Sequence, residues 1–106
     1  MRVLFDQGVP APLRHALVGH CVETAFERGW GTLQNGALIA SAEAEGFEIF
    51  LTTDKNLKYQ QNLVGRRLAV VVLSTTSWPR IRAATAKILE AVESARSGSL
   101  IEVRVE

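Results

Sequence analysis

A chain of 106 residues with 47% hydrophobic content fits one compact domain, residues 1–106, and excludes a second domain of ordinary size. Its formal net charge of +1 favours neither nucleic acid nor a membrane as a partner. Cys21 is the only cysteine, which excludes an intramolecular disulfide, and we expect it to be a small buried residue in a reducing compartment. No segment approaches the roughly 20 apolar residues of a membrane span, so we predict a cytoplasmic protein that does not contact membranes.

The first part of the chain is predicted to form a strand, a loop, a helix and a second strand. Residues 3–5 are a short apolar run that ends at Asp6, and residues 7–10 have loop chemistry before a helix around Leu13 and Leu17. Residues 20–25 alternate as a strand should, with a helical turn through residues 25–28 as the alternative. His15 and His20, which flank the predicted helix end, are expected to face solvent.

The middle of the chain is predicted to place a second aspartate at a strand end. Asn35 is a favourable cap for a helix that stops at Gly46. Residues 47–51 then form a third strand that leads into Thr52, Thr53 and Asp54. Asp54 therefore follows its strand as Asp6 follows the first.

The last part of the chain contains the clearest strand and the longest predicted helix. Residues 68–73 are an unbroken apolar run typical of a strand buried on both faces. Pro79 suits the first turn of one long helix that ends near Gly98, and residues 100–105 alternate as an edge strand. The pattern predicts an α/β fold, a three-layer α/β/α sandwich around a mostly parallel sheet of about five strands.

Asp6 and Asp54 are the residues on which a functional site is predicted. In open parallel sheets, ligands bind beyond the carboxyl ends of the strands, where both aspartates are expected. Two neighbouring carboxylates repel unless a cation lies between them, and Mg²⁺ is commonly held by one or two carboxylates with waters and phosphate oxygens. The alternative is that each aspartate caps the helix that follows it.

Three segments resemble the PIN-like family. Residues 4–10, Leu-Phe-Asp-Gln-Gly-Val-Pro, are similar to the "LLDENLP" signature of its small members, and residues 51–57, Leu-Thr-Thr-Asp-Lys-Asn-Leu, are similar to "LVTxDKDF". The stretch from Asn35 to Gly46 resembles their "SDEEILxxAxxEG" segment. The resemblance implies a PIN-type fold, a Mg²⁺ or Mn²⁺ site built from acids, and cleavage of single-stranded RNA. It also implies the toxin of a VapC-type toxin–antitoxin pair, held inactive by a small antitoxin protein.

The chain departs from this family where several acids are expected. It has amides at Gln7, Asn35 and Asn56, and Ala37 stands where a glutamate is common. Carried over residue by residue, the resemblance makes Asp6 and Asp54 the metal ligands and catalytic acids. Asn35 and Asn56 would assist catalysis through their amide oxygens. The alternative function is a catalytically weak or inactive PIN-like module that binds RNA or a protein partner.

Substrate contacts are predicted from the polar and basic residues near the two aspartates. They are Gln7, Lys55, Lys58, Tyr59, Arg66 and Arg67, with the cations on phosphates and Tyr59 stacked on a base. The alternative is a solvated polar helix face with Leu57 and Leu63 buried. A homodimer that uses Trp78 or Phe26 is also expected. A phosphoacceptor receiver domain would need another acid after the first strand, where Gln7 stands.

Overall fold

Nine helices and strands can be assigned in the computed structural model, which describes residues 1–57, 63 and 65–106. In chain order they are β1 (Arg2–Phe5), a 3₁₀ helix (Ala11–Ala16), β2 (Cys21–Thr24), α1 (Asn35–Ala44), β3 (Ile49–Thr52), β4 (Ala69–Leu73), α2 (Trp78–Ala83), α3 (Thr85–Ser94) and β5 (Leu100–Val103). Within these ranges, no helix is long and apolar enough to cross a membrane.

The five strands form one sheet in which every pairing is parallel, in the order β2-β1-β3-β4-β5. Strands buried on both faces are expected to be continuously apolar, and β3 and β4 are fully buried along their whole length. The connection after β1 leads to one neighbour, β2, whereas β3 lies on the other side of β1. The direction of winding therefore reverses between β1 and β3.

Successive side chains of a strand point to opposite sides of the sheet, so the sheet contributes to one core on each face. Helical segments cover both cores. Val3 and Phe5 of β1 belong to the core on the side of the 3₁₀ helix, α2 and α3. Leu4 belongs to the core on the other side, with Leu38 and Ile39 of α1. The structure confirms the predicted three-layer α/β fold.

The helix predicted after β1 is a 3₁₀ helix of six residues and not an α-helix. Its i+3 hydrogen bonds run from the Leu13 N–H to the Pro10 carbonyl, 3.1 Å, and from the Leu17 N–H to the Arg14 carbonyl, 3.2 Å. Prolines at positions 10 and 12 lack an N–H, which leaves few donors for an α-helical ladder in this short segment.

The long helix predicted from Pro79 to Gly98 is instead two helices, so this prediction is wrong. The chain leaves helical geometry at Ala84, with φ −114° and ψ 18°, and its N–H donates to the Ile81 carbonyl three residues back. Ile81 and Ile88 are nevertheless buried in the same core. The apolar spacing is unchanged across the break, and for this reason periodicity did not reveal it.

Two predictions of burial are also wrong. Cys21 is exposed because it begins β2, the strand at one edge of the sheet. The side chain of His20 is only 8% exposed, and its Nε2 lies 3.3 Å from Oε2 of Glu93 on α3. Its Nδ1 lies 3.2 Å from the amino group of Met1. His15 is exposed, as expected.

Candidate functional site

The two aspartates of the chain both follow strands that are neighbours in the sheet. Asp6 comes directly after β1, and its N–H donates to the Leu51 carbonyl of β3 at 2.9 Å. Asp54 follows β3 after one intervening residue. The carboxyl ends of β1 and β3 meet where the winding of the sheet reverses, which is the place where open α/β sheets form a crevice for ligands.

Thr52, the last residue of β3, connects the two aspartates. Its buried hydroxyl donates a hydrogen bond to Oδ2 of Asp6 at 2.8 Å and accepts one from the backbone N–H of Asp54 at 3.1 Å. A threonine in an otherwise apolar strand, Ile-Phe-Leu-Thr, was the sequence signal for this role, which was not predicted. The position of one aspartate is thus coupled to that of the other.

We expect Thr52→Val to destabilise the protein by about 1.5–3 kcal/mol, because the nearly isosteric change removes a buried hydrogen bond to a charged group. Urea unfolding measures the loss. Thr53→Val is the matched control, since Thr53 is half-buried and neither aspartate carboxylate accepts a hydrogen bond from it among the described residues. Equal stability of the Thr52→Val and Thr53→Val proteins would contradict this role.

Every oxygen of the two carboxylates accepts a hydrogen bond within the described part of the chain. In addition to Thr52, Asp6 accepts at Oδ1 from the Gln7 backbone N–H, 2.8 Å. Asp54 accepts at Oδ1 from the Asn56 backbone N–H, 3.0 Å, and at Oδ2 from Nδ2 of Asn35, 2.5 Å. The charges of both aspartates are therefore partly balanced by protein dipoles.

The carboxylate oxygens of Asp6 and Asp54 are suitable ligands for a hard divalent cation. A carboxylate pair offers about eight lone-pair positions and only four are used by these hydrogen bonds, so each carboxylate retains capacity for an ion. Among the described residues, no group of three or more His, Cys, Asp or Glu is arranged to hold a metal. Asp6 and Asp54 would be the carboxylate ligands of such an ion, with waters and substrate oxygens completing the coordination shell as is common for Mg²⁺.

Of the three predicted amides Gln7, Asn35 and Asn56, only Asn35 reaches an aspartate through its side chain within the described residues. Asn35 does so from the first residue of α1, whereas Gln34 occupies the cap position without a side-chain hydrogen bond, so the predicted capping role of Asn35 is wrong. Gln7 turns away, and its Nε2 donates to the Gly31 carbonyl at 2.6 Å. Asn56 is exposed and contacts Asp54 through its backbone.

The predicted basic contacts do not share one surface. Lys55 is exposed and lines a cavity of about 410 Å³ with Asn56, Ser74 and Arg104 at the carboxyl end of the sheet. Arg66 and Arg67 precede β4 and lie at the opposite end, because in a parallel sheet the residue before a strand is at its amino edge.

Glu43 is the partner of both arginines. It lies 3.6 Å from Nη1 of Arg66 and accepts a hydrogen bond from the Arg67 backbone N–H at 2.9 Å. The predicted contacts of Lys58 and Tyr59 fall outside the described residues, whereas Leu57 and Leu63 are buried as the alternative predicted.

A turn follows β2 next to the 3₁₀ helix, where the sequence offered a turn through residues 25–28 as an alternative, but its side-chain hydrogen bonds were not predicted. Glu27 accepts a hydrogen bond from the Thr24 N–H at 2.8 Å, and its own N–H donates to the Thr24 hydroxyl at 3.0 Å, a reciprocal pattern like that of a capping box. Arg14 donates to both Glu27 oxygens, at 2.6 and 3.1 Å. Thr24 followed three residues later by Glu27 was the available signal.

These contacts hold the pKa of Glu27 at about 2, through the Arg14 side chain first and the Thr24 backbone next. Because this pKa is below the ordinary value of 4.5, the stability that the ionised Glu27 carboxylate adds to the folded protein is fully present above pH 4.5. That stability is lost as the pH falls towards 2. We expect an NMR titration of the Glu27 carboxyl to show a midpoint near 2, raised by Arg14→Gln and unchanged by Arg66→Gln. A midpoint at the ordinary value in the unmodified protein would contradict the pairing.

Comparison with known proteins does not assign the chain to a family. No protein-family model, curated protein or solved structure matches it.

Proposed function

We propose that the protein is a metal-dependent endoribonuclease of PIN-like type that hydrolyses phosphodiester bonds in single-stranded RNA. The observation that carries the proposal is the pair of aspartates joined through Thr52 at the crevice between β1 and β3. Two carboxylates with spare oxygen lone pairs are what an ion shared with a phosphate requires. The resemblance of residues 4–10 and 51–57 to PIN-like signatures supports the same reaction class.

The proposal assigns a task to five residues of the site. Asp6 and Asp54 provide the negative charge that binds Mg²⁺ or Mn²⁺, and Thr52 fixes their relative position. An ion held by Asp6 and Asp54 would supply an activated water molecule and stabilisation of the charge that develops on the phosphate. Asn35 orients the Asp54 carboxylate by donating to Oδ2. Lys55, exposed next to Asp54, is suited to contact an RNA phosphate.

A second candidate is a module that binds RNA or a protein partner and cleaves slowly or not at all. The Asn35 contact favours it: an N–H donor occupies an Asp54 oxygen at a place where the family resemblance leads us to expect an acid. That donor stabilises the carboxylate without a cation and brings no charge to attract one. Both candidates share the fold and differ in whether metal binding leads to cleavage.

The test is incubation of the protein with a labelled single-stranded RNA in Mg²⁺, in Mn²⁺ and in excess chelator. The nuclease proposal predicts internal cleavage that requires the metal and stops in chelator. Metal binding by calorimetry without cleavage would support the second candidate. Failure to bind Mn²⁺ would contradict the metal-dependent reaction.

The proposal also includes a cellular location and a protein inhibitor. A cytoplasmic location and a small antitoxin protein as inhibitor are the setting that the family resemblance implies, and the single cysteine is compatible with a reducing compartment. The homodimer remains a prediction. Of the two residues suggested for it, Trp78 packs against the core and Phe26 is exposed.

A further inference from the structure

A groove of about 900 Å³ runs from Asp6 to the turn after β2. Its lining includes Asp6 and Gln7 together with Phe26 and Glu27. The loop after β1 and the 3₁₀ helix contribute Val9, Pro10, Pro12, Arg14 and His15. The groove therefore contains one carboxylate of the site and several apolar side chains.

Phe26 is the only phenylalanine of the chain whose ring is left in solvent. It is 81% exposed, whereas Phe5, Phe47 and Phe50 are buried. Exposing a large aromatic ring loses the free energy that its burial would provide, so an exposed ring next to a groove commonly marks a contact surface.

The turn that carries Phe26 is held firmly from two sides. The reciprocal hydrogen bonds between Thr24 and Glu27 close it, and the paired hydrogen bonds from Arg14 fasten Glu27 to the 3₁₀ helix. The backbone on both sides of Phe26 is therefore fixed while the ring itself is free to contact a ligand. A fixed support of this kind lowers the entropy lost on binding.

We propose that this groove receives the nucleobase of the nucleotide next to the phosphate bound at Asp6, and that Phe26 stacks on that base. The inference rests on the proposed ribonuclease function and names how its substrate is held. Stacking on an aromatic side chain is the usual way in which proteins bind unpaired bases, and it tolerates any base.

The charges of the groove favour a base over a phosphate in this position. The positive charge of Arg14 is matched by Glu27, and among the described residues no other lysine or arginine lines the groove to bind a phosphate. A nucleobase is uncharged and flat, which suits the prolines and the one aromatic ring of the lining. A metal-bound phosphate would lie at Asp6 in the proposed reaction.

The test is RNA binding in Mn²⁺ with a short single-stranded RNA analogue whose phosphate linkages cannot be hydrolysed, which separates binding from cleavage and keeps the ion that would hold the phosphate. Fluorescence anisotropy with this strand should show Phe26→Ala binding about 5- to 100-fold more weakly than the unmodified protein. Phe26→Trp should bind as well or better, because it keeps the stacking surface. Val18→Ala is the control, since Val18 is 76% exposed but does not line the groove. With a strand that lacks its bases, Phe26→Ala should have no effect.

The outcomes separate this inference from the proposed function. Equal RNA binding by the Phe26→Ala and unmodified proteins, or no binding by either, would overturn the inference, and metal-dependent cleavage would still stand on its own assay. Phe26-dependent binding without cleavage in Mn²⁺ would support stacking while the nuclease function fails. Loss of a dimer in Phe26→Ala, with RNA binding unchanged, would show that a second copy of the chain covers the ring, and would also overturn the inference.

Discussion

Asp6→Ala and Asp54→Ala are each expected to reduce metal-dependent RNA cleavage by at least about 100-fold, the largest effects that we expect on activity. Each change removes one of the two carboxylates that would hold the ion, and the remaining one cannot supply the same charge. Asp6→Ala also leaves the Thr52 hydroxyl without its acceptor. Gel assays of labelled RNA in Mn²⁺ measure the loss, with circular dichroism to show that each protein is folded.

The matched control is Glu90→Ala, which removes an exposed carboxylate from α3, far along the chain from both aspartates. It should cleave as the unmodified protein does. If Asp6→Ala or Asp54→Ala also cleaved normally, the aspartate that was replaced would have no part in the reaction. If both did, the site would have to be sought elsewhere.

Asn35→Asp is expected to change the stability of the metal-free protein and its metal affinity in opposite directions. Without metal, the variant replaces a donor 2.5 Å from Oδ2 of Asp54 with a second carboxylate, which should lower the free energy of unfolding by about 2–4 kcal/mol. With metal, the added charge faces the ion, and we expect Mn²⁺ to bind about tenfold more tightly. Thermal melts and calorimetric titration measure the two effects.

Asn56→Asp is the matched control for this experiment. The side chain of Asn56 is exposed, and its link to Asp54 is made by the backbone N–H, which the substitution keeps. We expect its stability to change by no more than about 0.5 kcal/mol. A similar response from both variants would mean that the local charge, and not the Asn35 contact, controls the site.

Much of the fold was predictable because the strands are short apolar runs that end in polar residues. The sheet layer and the placement of Asp6 and Asp54 after strands follow from that pattern. The break at Ala84 could not be predicted from that pattern, because the helices on its two sides keep the same apolar spacing. The segment after β1 was predicted as a helix and forms a 3₁₀ helix, although its prolines were visible in the sequence.

Of the predicted site residues, the structure joins Asp6, Asp54 and Asn35 through side-chain hydrogen bonds or the shared Thr52 hydroxyl. Arg66 and Arg67 are near Asp54 in sequence, yet the chain passes to the amino end of β4 before reaching them, so proximity along the chain was misleading. Thr52 was missed for another reason. A threonine at the end of an apolar strand signals that its hydroxyl needs a partner, but the groups that it joins become visible only in three dimensions.

The strand order also has a consequence for how the chain is made. β4, Ala-Val-Val-Val-Leu, pairs on one side with β3 and on the other with β5, the last strand of the sheet to leave the ribosome. Until β5 emerges, one edge of this wholly apolar strand has no partner, and unpaired apolar edges recruit other chains. A released chain that ends before Leu100 is therefore expected to need a chaperone, and to aggregate when none is present.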